Sequence, residues 1–276
     1  MGRRVAITGL GAVTSLGMGA EQFWSSIKNG KCGISTIERI DVSDLPTKVG
    51  AEIKDFHPAD YIEKKEIKRM DRYAQYAMAA AQMAVESSKL NIDHINKERL
   101  GVIIGSGVGG IETMENQHRV LLEKGSDRIS AFFVPMMIAN MASGVVAIKY
   151  GAKGYNECIV TACASSANSI GEAFKVIQRN AADIMITGGA EAPITKLAFA
   201  GFCAKMKTLP MPVNPLTSKE MALSWEKAPA FLFSKNLNMH YTGGLILLPK
   251  SWAMGVRMMH IISLHPLKAE RVAPDA

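Results

Sequence analysis

The stretch ECIVTACASSANSIGEAFKVIQRNAADIMITGG, residues 157–189, decides the fold class because apolar runs alternate in it with a helical segment. The pattern predicts a strand at Glu157–Thr161, a helix at Cys163–Arg179 and a second strand at Ile184–Thr187 that ends in two glycines. This order favours a parallel sheet covered by helices. Reactive groups in such sheets lie beyond the carboxyl ends of the strands, which is where this stretch places Cys163.

The same alternation extends over the first 204 residues and predicts an α/β domain. The further predicted elements are the strands Val5–Thr8 and Val102–Ile104 and the helices Glu21–Lys28, Met70–Ser88, Ile111–Lys124 and Met136–Tyr150. The first strand is expected to end at the turn Gly9-Leu10-Gly11. The last helix is nearly all apolar, so we expect it to be buried.

Composition excludes several classes of protein. The chain has 276 residues, of which 48% are hydrophobic and 21% charged, so a disordered or collagen-like chain is excluded. No run of about 18 apolar residues is present, and the apolar run after Arg4 is too short for a signal peptide. We therefore expect no membrane span. Four cysteines without C-x-x-C spacing, at positions 32, 158, 163 and 203, point to a reducing cytoplasm.

The sequence offers little support for metal or nucleic-acid binding. None of the six histidines has the spacing of metal ligands, so no metal site is predicted; they are His57, His94, His118, His240, His260 and His265. The run Glu63–Arg69 alternates in charge and predicts a solvated face instead of a nucleic-acid surface.

Composition changes near residue 205. Residues 205–276 carry 9 Lys or Arg against 4 Asp or Glu, and they contain only 3 of the 24 glycines but 7 of the 17 methionines. The segment 210–215 disfavours a helix, and beyond it the apolar residues show no sustained period of 2 or 3.6 residues. The sequence thus predicts one domain at 1–209 and an irregular tail at 210–276.

The glycine-rich run Gly105–Gly110 follows a strand, precedes a helix and satisfies the pattern G-x-G-x-x-G. One interpretation is a phosphate cradle for a dinucleotide, which would make the protein an oxidoreductase. That interpretation requires an acidic residue at the end of the next strand, whereas Glu123 and Asp127 lie at a helix end and in a polar turn. Tight packing of strand against helix is therefore favoured.

Cys163 stands in TACASS, residues 161–166, among small side chains where a strand gives way to a helix. A helix N-terminus stabilises a thiolate, and its N–H groups can hold the oxyanion of a thioester intermediate. A single cysteine is also commonly a buried apolar filler. The residues alone leave both interpretations open.

Five stretches together resemble the β-ketoacyl-acyl carrier protein synthases, condensing enzymes of the thiolase-like fold. They are VAITGLGAVTSLG at 5–17, RMDRYAQYA at 69–77, GVIIGSGVGG at 101–110, TACASS at 161–166 and ITGGAEAPI at 186–194. GFCA at 201–204 and MKTL at 206–209 are similar to the segment that follows in the family. The resemblance favours a nucleophilic Cys163 over a buried filler and the thiolase-like fold over a dinucleotide domain.

The resemblance implies a function for the whole family enzyme. Cys163 would take an acyl chain from an acyl carrier protein, and two histidines would decarboxylate malonyl-carrier protein so that its carbanion attacks the thioester. The product is 3-oxoacyl-carrier protein, with release of CO2, in fatty acid elongation. Val108, Phe133 and Phe202 match positions that line the acyl pocket, with Phe133 reaching across the interface of a homodimer. No organic cofactor is implied.

The sequence departs from the family after residue 209. Neither histidine motif of the family, NAHGTST or TGH, occurs in it, and the loop GFVMGEGAG is missing. Codons for residues 219–230, read two bases later, permit RNGFVMGEGAG; those for 231–240 permit ILVLEELEHA, and those for 258–263 permit DAYHI. We therefore predict a frameshift between about Leu209 and Lys219, an out-of-frame tail and a chain defective in condensation. The alternative is a non-catalytic fragment that binds acyl-thioesters or a carrier protein.

Overall fold

A computed structural model describes residues 3–208 and 259–266. Its strands are β1 (Val5–Thr14), β2 (Gly17–Met18), β3 (Ser35–Thr36), β4 (Val49–Gly50), β5 (Leu100–Gly105), β6 (Asn156–Glu157), β7 (Ile184–Gly189) and β8 (Met259–Pro266). Its α-helices are α1 (Ala20–Lys28), α2 (Lys64–Ile67), α3 (Arg72–Ser88), α4 (Ile111–Lys124), α5 (Phe133–Met137), α6 (Met141–Tyr150), α7 (Ser165–Gln178) and α8 (Lys196–Thr208).

Six strands form one sheet in the order β2-β1-β8-β7-β5-β6, and β3 pairs with β4 apart from it. Strand β5 is parallel to both β6 and β7, whereas β8 is antiparallel to both β1 and β7. Strands β1, β5, β6 and β7 therefore run in one direction, and the prediction of a parallel-rich sheet is confirmed.

Helices cover both faces of the sheet, as predicted. On one face, Val102 and Ile104 of β5 pack in a core cluster with α3 and α6. On the other, Ile103 packs in a second cluster with Val176 and Ile177 of α7. All six residues of β5 are buried, which is why the strand reads as a continuous apolar run.

Strand β1 is longer than predicted, because the glycines read as a turn lie inside it. A Cβ atom at Gly9 would clash with the carbonyl oxygen of Ala84, and one at Gly11 with that of Ala80. Both carbonyls belong to α3, so the glycines allow this helix to lie directly on the strand. The predicted turn at Gly9-Leu10-Gly11 was wrong.

The single buried helix predicted at Met136–Tyr150 is two helices, α5 and α6. They are separated at Ile138, whose backbone is extended and whose carbonyl oxygen accepts a hydrogen bond of 2.6 Å from the hydroxyl of Tyr73. Helix α6 buries one face only: Val146 is fully buried, whereas Ile148 is 78% exposed. The prediction of a single buried helix was therefore wrong.

The strand predicted at Glu157–Thr161 is shorter in the structure, where β6 ends at Glu157. The hydroxyl of Ser143 donates to the carbonyl oxygen of Glu157 at 2.6 Å and accepts from the amide of Ile104 at 2.9 Å. A side chain of α6 thus bridges β5 and the end of β6 where a strand ladder would otherwise continue.

Beyond residue 208, the structure describes only β8, which corrects the expectation of an irregular tail at 259–266. The rest of the predicted tail, including the segments on which the frameshift prediction depends most, lies outside the described residues. Within the described ranges, no helix has the length and apolar character needed to cross a membrane.

Candidate active site

The candidate site lies at the carboxyl edge of the sheet, where β5 and β7 end side by side with Gly105 opposite Gly189. A Cβ atom at Gly105 would lie 2.6 Å from the carbonyl oxygen of Ser165, and one at Gly189 would lie 2.5 Å from the Cβ of Ser166. Only glycine leaves room for this approach. The first turn of α7 therefore sits directly against the ends of both strands.

The turn that leads into α7, residues 161–165, is called the elbow below. The amide of Thr161 donates to Oγ of Ser165 at 2.9 Å, and this hydroxyl donates to the carbonyl oxygen of Ala162 at 2.7 Å. The side-chain amide of Asn168 donates to Oγ1 of Thr161 at 2.7 Å. The elbow is thus closed by side chains of the helix that it begins.

Cys163 is presented at the middle of the elbow. The preceding residue, Ala162, has a φ of 51°, in the left-handed region that a non-glycine residue enters at a cost in energy. The side chain of Cys163 is exposed and the residue lies in a single 3₁₀ turn, two residues before α7 begins. The interpretation of Cys163 as a buried filler is therefore wrong, and its thiol is open to reaction at a helix N-terminus.

Residues 105–110, called the glycine turn below, join β5 to α4 at the same edge. The amide of Gly107 donates to Oε2 of Glu191 at 2.6 Å, and that of Val108 approaches the same oxygen at 3.3 Å. In a dinucleotide motif, the amides at these positions would bind a phosphate. Here they donate to a carboxylate of the chain itself. The interpretation as tight strand-to-helix packing is supported by Gly110, where a Cβ atom would clash with the carbonyl oxygen of Met136.

The structure brings the elbow, the glycine turn and α5 together. A Cβ atom at Gly107 would lie 3.5 Å from the carbonyl oxygen of Ala162, in ordinary van der Waals contact. The amide of Gly110 donates to the carbonyl oxygen of Met137 at 2.9 Å. Val108, which is 49% exposed, therefore belongs to a turn that approaches the elbow at Gly107 and the end of α5 at Gly110.

Phe202, the third predicted pocket residue, lies on α8. Its neighbours on that helix, Phe199 and Cys203, pack in a separate core cluster with Ile37 and Leu45. The side chain of Phe202 is 39% exposed. The sequence prediction for this residue thus rests on the resemblance alone.

A second cysteine lies at the same edge in a different environment. Cys158 is half-buried, and its Sγ atom lies 3.3 Å from the carbonyl oxygen of Ala139. Burial raises the pKa of this thiol, the negative charge of Glu191 raises it further, and a hydrogen bond with the backbone of Ser106 opposes the shift. Cys158 is therefore a poorer candidate nucleophile than the exposed Cys163.

Sequence reasoning missed the roles of Ser165 and Glu191. Ser165 lies in the quoted stretch TACASS, and Glu191 follows the glycines at the end of β7. A usable signal for Glu191 existed, because a carboxylate after one parallel strand lies at the same edge as the amides of a glycine-rich turn after another. Among the residues that the structure describes, no group of three His, Cys, Asp or Glu side chains is placed to hold a metal ion.

Comparison with known proteins agrees with this geometry. Residues 2–218 match the family model described as Beta-ketoacyl synthase, N-terminal domain. The chain is 48% identical over 202 residues to 3-oxoacyl-[acyl-carrier-protein] synthase 2 of Synechocystis sp. (strain ATCC 27184 / PCC 6803 / Kazusa), a match that covers 73% of this chain and 49% of that protein. The chain thus spans about half the length of the curated relatives it matches.

Two solved structures share the fold. The ishigamide ketosynthase/chain length factor superposes with a TM-score of 0.74 at 24% identity, covering 97% of this chain and 59% of that one. A ketosynthase bound to its type II polyketide acyl-carrier protein superposes with a TM-score of 0.68 at 17% identity, covering 96% of this chain and 62% of that one. The fold is thiolase-like, and the chain belongs to the β-ketoacyl synthase family.

Proposed function

We propose that Cys163 is the nucleophile that accepts an acyl chain as a thioester. The observation that carries this proposal is the exposed thiol on a strained elbow at the start of a 14-residue helix. In the reaction, the thiolate attacks the thioester carbonyl, a new carbon–sulfur bond forms, and the carrier thiolate leaves and takes up a proton. Backbone N–H groups at the helix start are suited to stabilise the oxyanion.

In the complete enzyme, the acyl-cysteine is condensed with malonyl-acyl carrier protein to give 3-oxoacyl-acyl carrier protein and CO2. The support is the match to relatives named 3-oxoacyl-[acyl-carrier-protein] synthase 2, at 48% identity over 202 residues. Val108, Phe133 and Phe202 line the acyl pocket in this proposal. The place of Val108 in the turn that approaches the elbow at Gly107 and α5 at Gly110 supports its assignment.

The partner is an acyl carrier protein, which docks on a basic cleft beside α2. The cleft has a volume of about 520 Å³ and is lined by Lys64, Lys65, Lys68, Arg69 and Phe132. The guanidinium of Arg69 lies 4.9 Å from the centre of the Phe132 ring. The charge run that the sequence predicted as a solvated face thus lines one cleft with four basic side chains. Two of them pair with glutamates of the same run, Lys65 with Glu63 at 2.9 Å and Arg69 with Glu66 at 3.6 Å. The remaining basic excess of the lining suits an acidic partner.

The complete protein is a homodimer in this proposal, and α4 and α5 contribute to the interface. Large apolar side chains are exposed on both helices; they are Met114, Leu121, Leu122, Val134 and, just after α5, Ile138. Such a concentration is typical of a surface that is covered in an assembly. The reduced thiol at Cys163 that the reaction requires agrees with a cytoplasmic location.

A second candidate function is a fragment that binds or accepts acyl-thioesters without condensing them. The 276-residue sequence contains neither histidine motif of the family, and this observation favours the second candidate for the chain tested by itself. The predicted frameshift and the domain end near residue 209 explain that loss. Sequencing the gene across codons 205–220 tests the frameshift, and an uninterrupted frame there would contradict it.

The experiment that tests the proposed function combines mass spectrometry with a decarboxylation assay. We expect slow transfer of an acyl group from acyl-carrier protein to the 276-residue chain, with the added mass on Cys163. Cys163→Ala should abolish the adduct, whereas Cys158→Ala, the matched control at the same sheet edge, should retain it. Loss of acid–base groups typically costs factors of about 10² to 10⁴, so we expect no 3-oxoacyl product from this chain alone.

Two outcomes would count against these proposals. An adduct that survives in Cys163→Ala would show that Cys163 is not the nucleophile. Formation of 3-oxoacyl product by the 276-residue chain, lost in Cys163→Ala, would show that the tail supplies the missing groups and that the frameshift explanation is wrong. A gene with the frame restored should give a fully active enzyme.

A further inference from the structure

Three successive amides of the glycine turn, at residues 107–109, donate to side chains, and one carboxylate receives two of them. Oε2 of Glu191 accepts from the amides of Gly107 and Val108 at 2.6 and 3.3 Å. The amide of Gly109 donates to Oγ of Ser106 at 3.0 Å, and this hydroxyl lies 3.4 Å from Oε1 of Glu191. The carboxylate therefore holds the turn at three successive residues, directly or through one hydroxyl.

Gly107 lies close to both this carboxylate and the elbow. A Cβ atom at position 107 would lie 2.9 Å from Oε2 of Glu191 and 3.5 Å from the carbonyl oxygen of Ala162. The absence of a side chain thus leaves room for the carboxylate and the elbow beside Gly107. Any movement of the turn at Gly107 therefore occurs next to the residue immediately before Cys163.

The position of Glu191 is itself set by the sheet. The amide of Ala190 donates to the carbonyl oxygen of Gly105 at 2.9 Å, which continues the pairing of β7 with β5 by one residue. Glu191 is the next residue and its side chain is half-buried. Glu191 is therefore anchored next to the paired backbone of the sheet. The glycine turn that it holds is intrinsically flexible, because most of its residues are glycines.

We propose that Glu191 is a positioning residue of the acyl site. Its carboxylate fixes the glycine turn and thereby the distance between Val108 and the Cys163 thiol, which sets the length of the chain that can enter beside the thiol. This proposal rests on the proposed function, because it assumes that an acyl chain is bound at Cys163. It does not require the condensation step.

Three substitutions separate this role from a general contribution to stability. Glu191→Gln keeps an oxygen that can accept from both amides, so the turn should stay in place. Glu191→Ala removes the acceptor and leaves the amides without a partner. Glu52→Ala is the matched control, because Glu52 is a buried glutamate that accepts a hydrogen bond of 3.0 Å from the amide of Glu38, away from the turn.

The experiment uses N-alkyl iodoacetamides with two-carbon and eight-carbon chains on the 276-residue protein, with alkylation of Cys163 followed by peptide mapping. The thiolate displaces iodide in both reactions, so only access differs. In Glu191→Ala, the ratio of the eight-carbon to the two-carbon rate should rise about tenfold, and amide hydrogens of residues 107–109 should exchange about tenfold faster. Glu191→Gln and Glu52→Ala should stay within about twofold of the unmodified protein in both measurements.

Equal ratios and equal exchange in Glu191→Ala and Glu52→Ala would overturn the proposal. If Glu191→Ala fails to fold, Glu191→Asp replaces it, since the shorter side chain withdraws the carboxylate from the turn; the same directions are expected, and unchanged values would again overturn the proposal. If the carrier protein fails to acylate Cys163 but the alkylation results are as expected, the proposed function is wrong and the role of Glu191 stands. Acylation without any effect of Glu191 would remove this inference alone.

Discussion

The elbow and the glycine turn lie at the same edge of one sheet, and each leads from a strand into a helix, but they are held in different ways. Ser165 and Asn168 close the elbow from the helix that it begins, within seven positions of Thr161. Glu191 holds the glycine turn from 84 positions away. The elbow is thus a locally encoded turn that can carry strain, whereas the glycine turn depends on the assembled sheet.

The largest expected effect of a substitution is at the far end of the glycine turn. In Gly110→Ala, the new Cβ atom would meet the backbone of Met136, which cannot move without shifting α5. We expect the free energy of unfolding to fall by about 3 kcal/mol. Urea unfolding measures this loss.

Gly171→Ala on α7 is the matched control, because a Cβ atom there meets nothing within 4 Å. Replacing a helical glycine by alanine should raise the free energy of unfolding by about 0.5–1 kcal/mol. If both variants were equally stable, the glycine turn would not be held by close packing as the structure describes.

A smaller loss is expected from Ser165→Ala, which removes the hydroxyl that closes the elbow. The amide of Thr161 and the carbonyl of Ala162 then lose a partner, and we expect the free energy of unfolding to fall by about 1–2 kcal/mol. Alkylation of Cys163 by iodoacetamide should change in rate at the same time. Ser126→Ala, at an exposed position, should change neither quantity, and an effect of equal size there would contradict the role of Ser165.

Ala162→Gly should have almost no effect on stability, in contrast to Gly110→Ala. Glycine relieves the cost of the left-handed backbone but increases the entropy of the unfolded chain, and the two contributions nearly cancel. We expect thermal unfolding to show a change within about 0.5 kcal/mol. A loss well above that value would mean that the alanine methyl group has a packing role.

The smallest effect is a pH dependence at Asp71, which joins α3 to the helix after the glycine turn. Its carboxylate accepts from the amide of Tyr73 at 3.2 Å and from the amide and hydroxyl of Thr113 at 2.8 and 2.6 Å. Burial nevertheless raises the pKa of Asp71 above its ordinary value of 3.8.

Because the folded chain holds this proton more tightly than the unfolded chain, the contribution of Asp71 to stability is fully present below pH 3.8 and is lost as the pH rises through the folded pKa. The stability of the unmodified protein relative to Asp71→Asn should therefore decrease with rising pH across that window. Urea unfolding at several pH values measures this difference. A relative stability that increases with pH would contradict the assignment.

Much of the sheet and part of the site could be predicted from local pattern. The apolar run of β5 and its closing glycine, the helix Ile111–Lys124, and the place of Cys163 at the start of a helix all follow from residues adjacent in the chain. The strand β6 and the break between α5 and α6 could not be predicted in this way. The end of β6 depends on Ser143, whose hydroxyl donates to a backbone carbonyl of that strand. The break between the helices depends on Tyr73, whose hydroxyl donates to the backbone carbonyl of Ile138.

The sequence by itself determined the fold class, the family and the candidate nucleophile, because periodicity, glycines at strand ends and the TACASS stretch are local properties. Tertiary structure alone decided that Gly9 and Gly11 lie within a strand under α3, that residues 259–266 pair between β1 and β7, and that Glu191 holds the glycine turn. The physical reason is that close backbone approach and buried hydrogen bonds depend on which segments pack against each other. The spacing of residues along the sequence does not specify which segments these are.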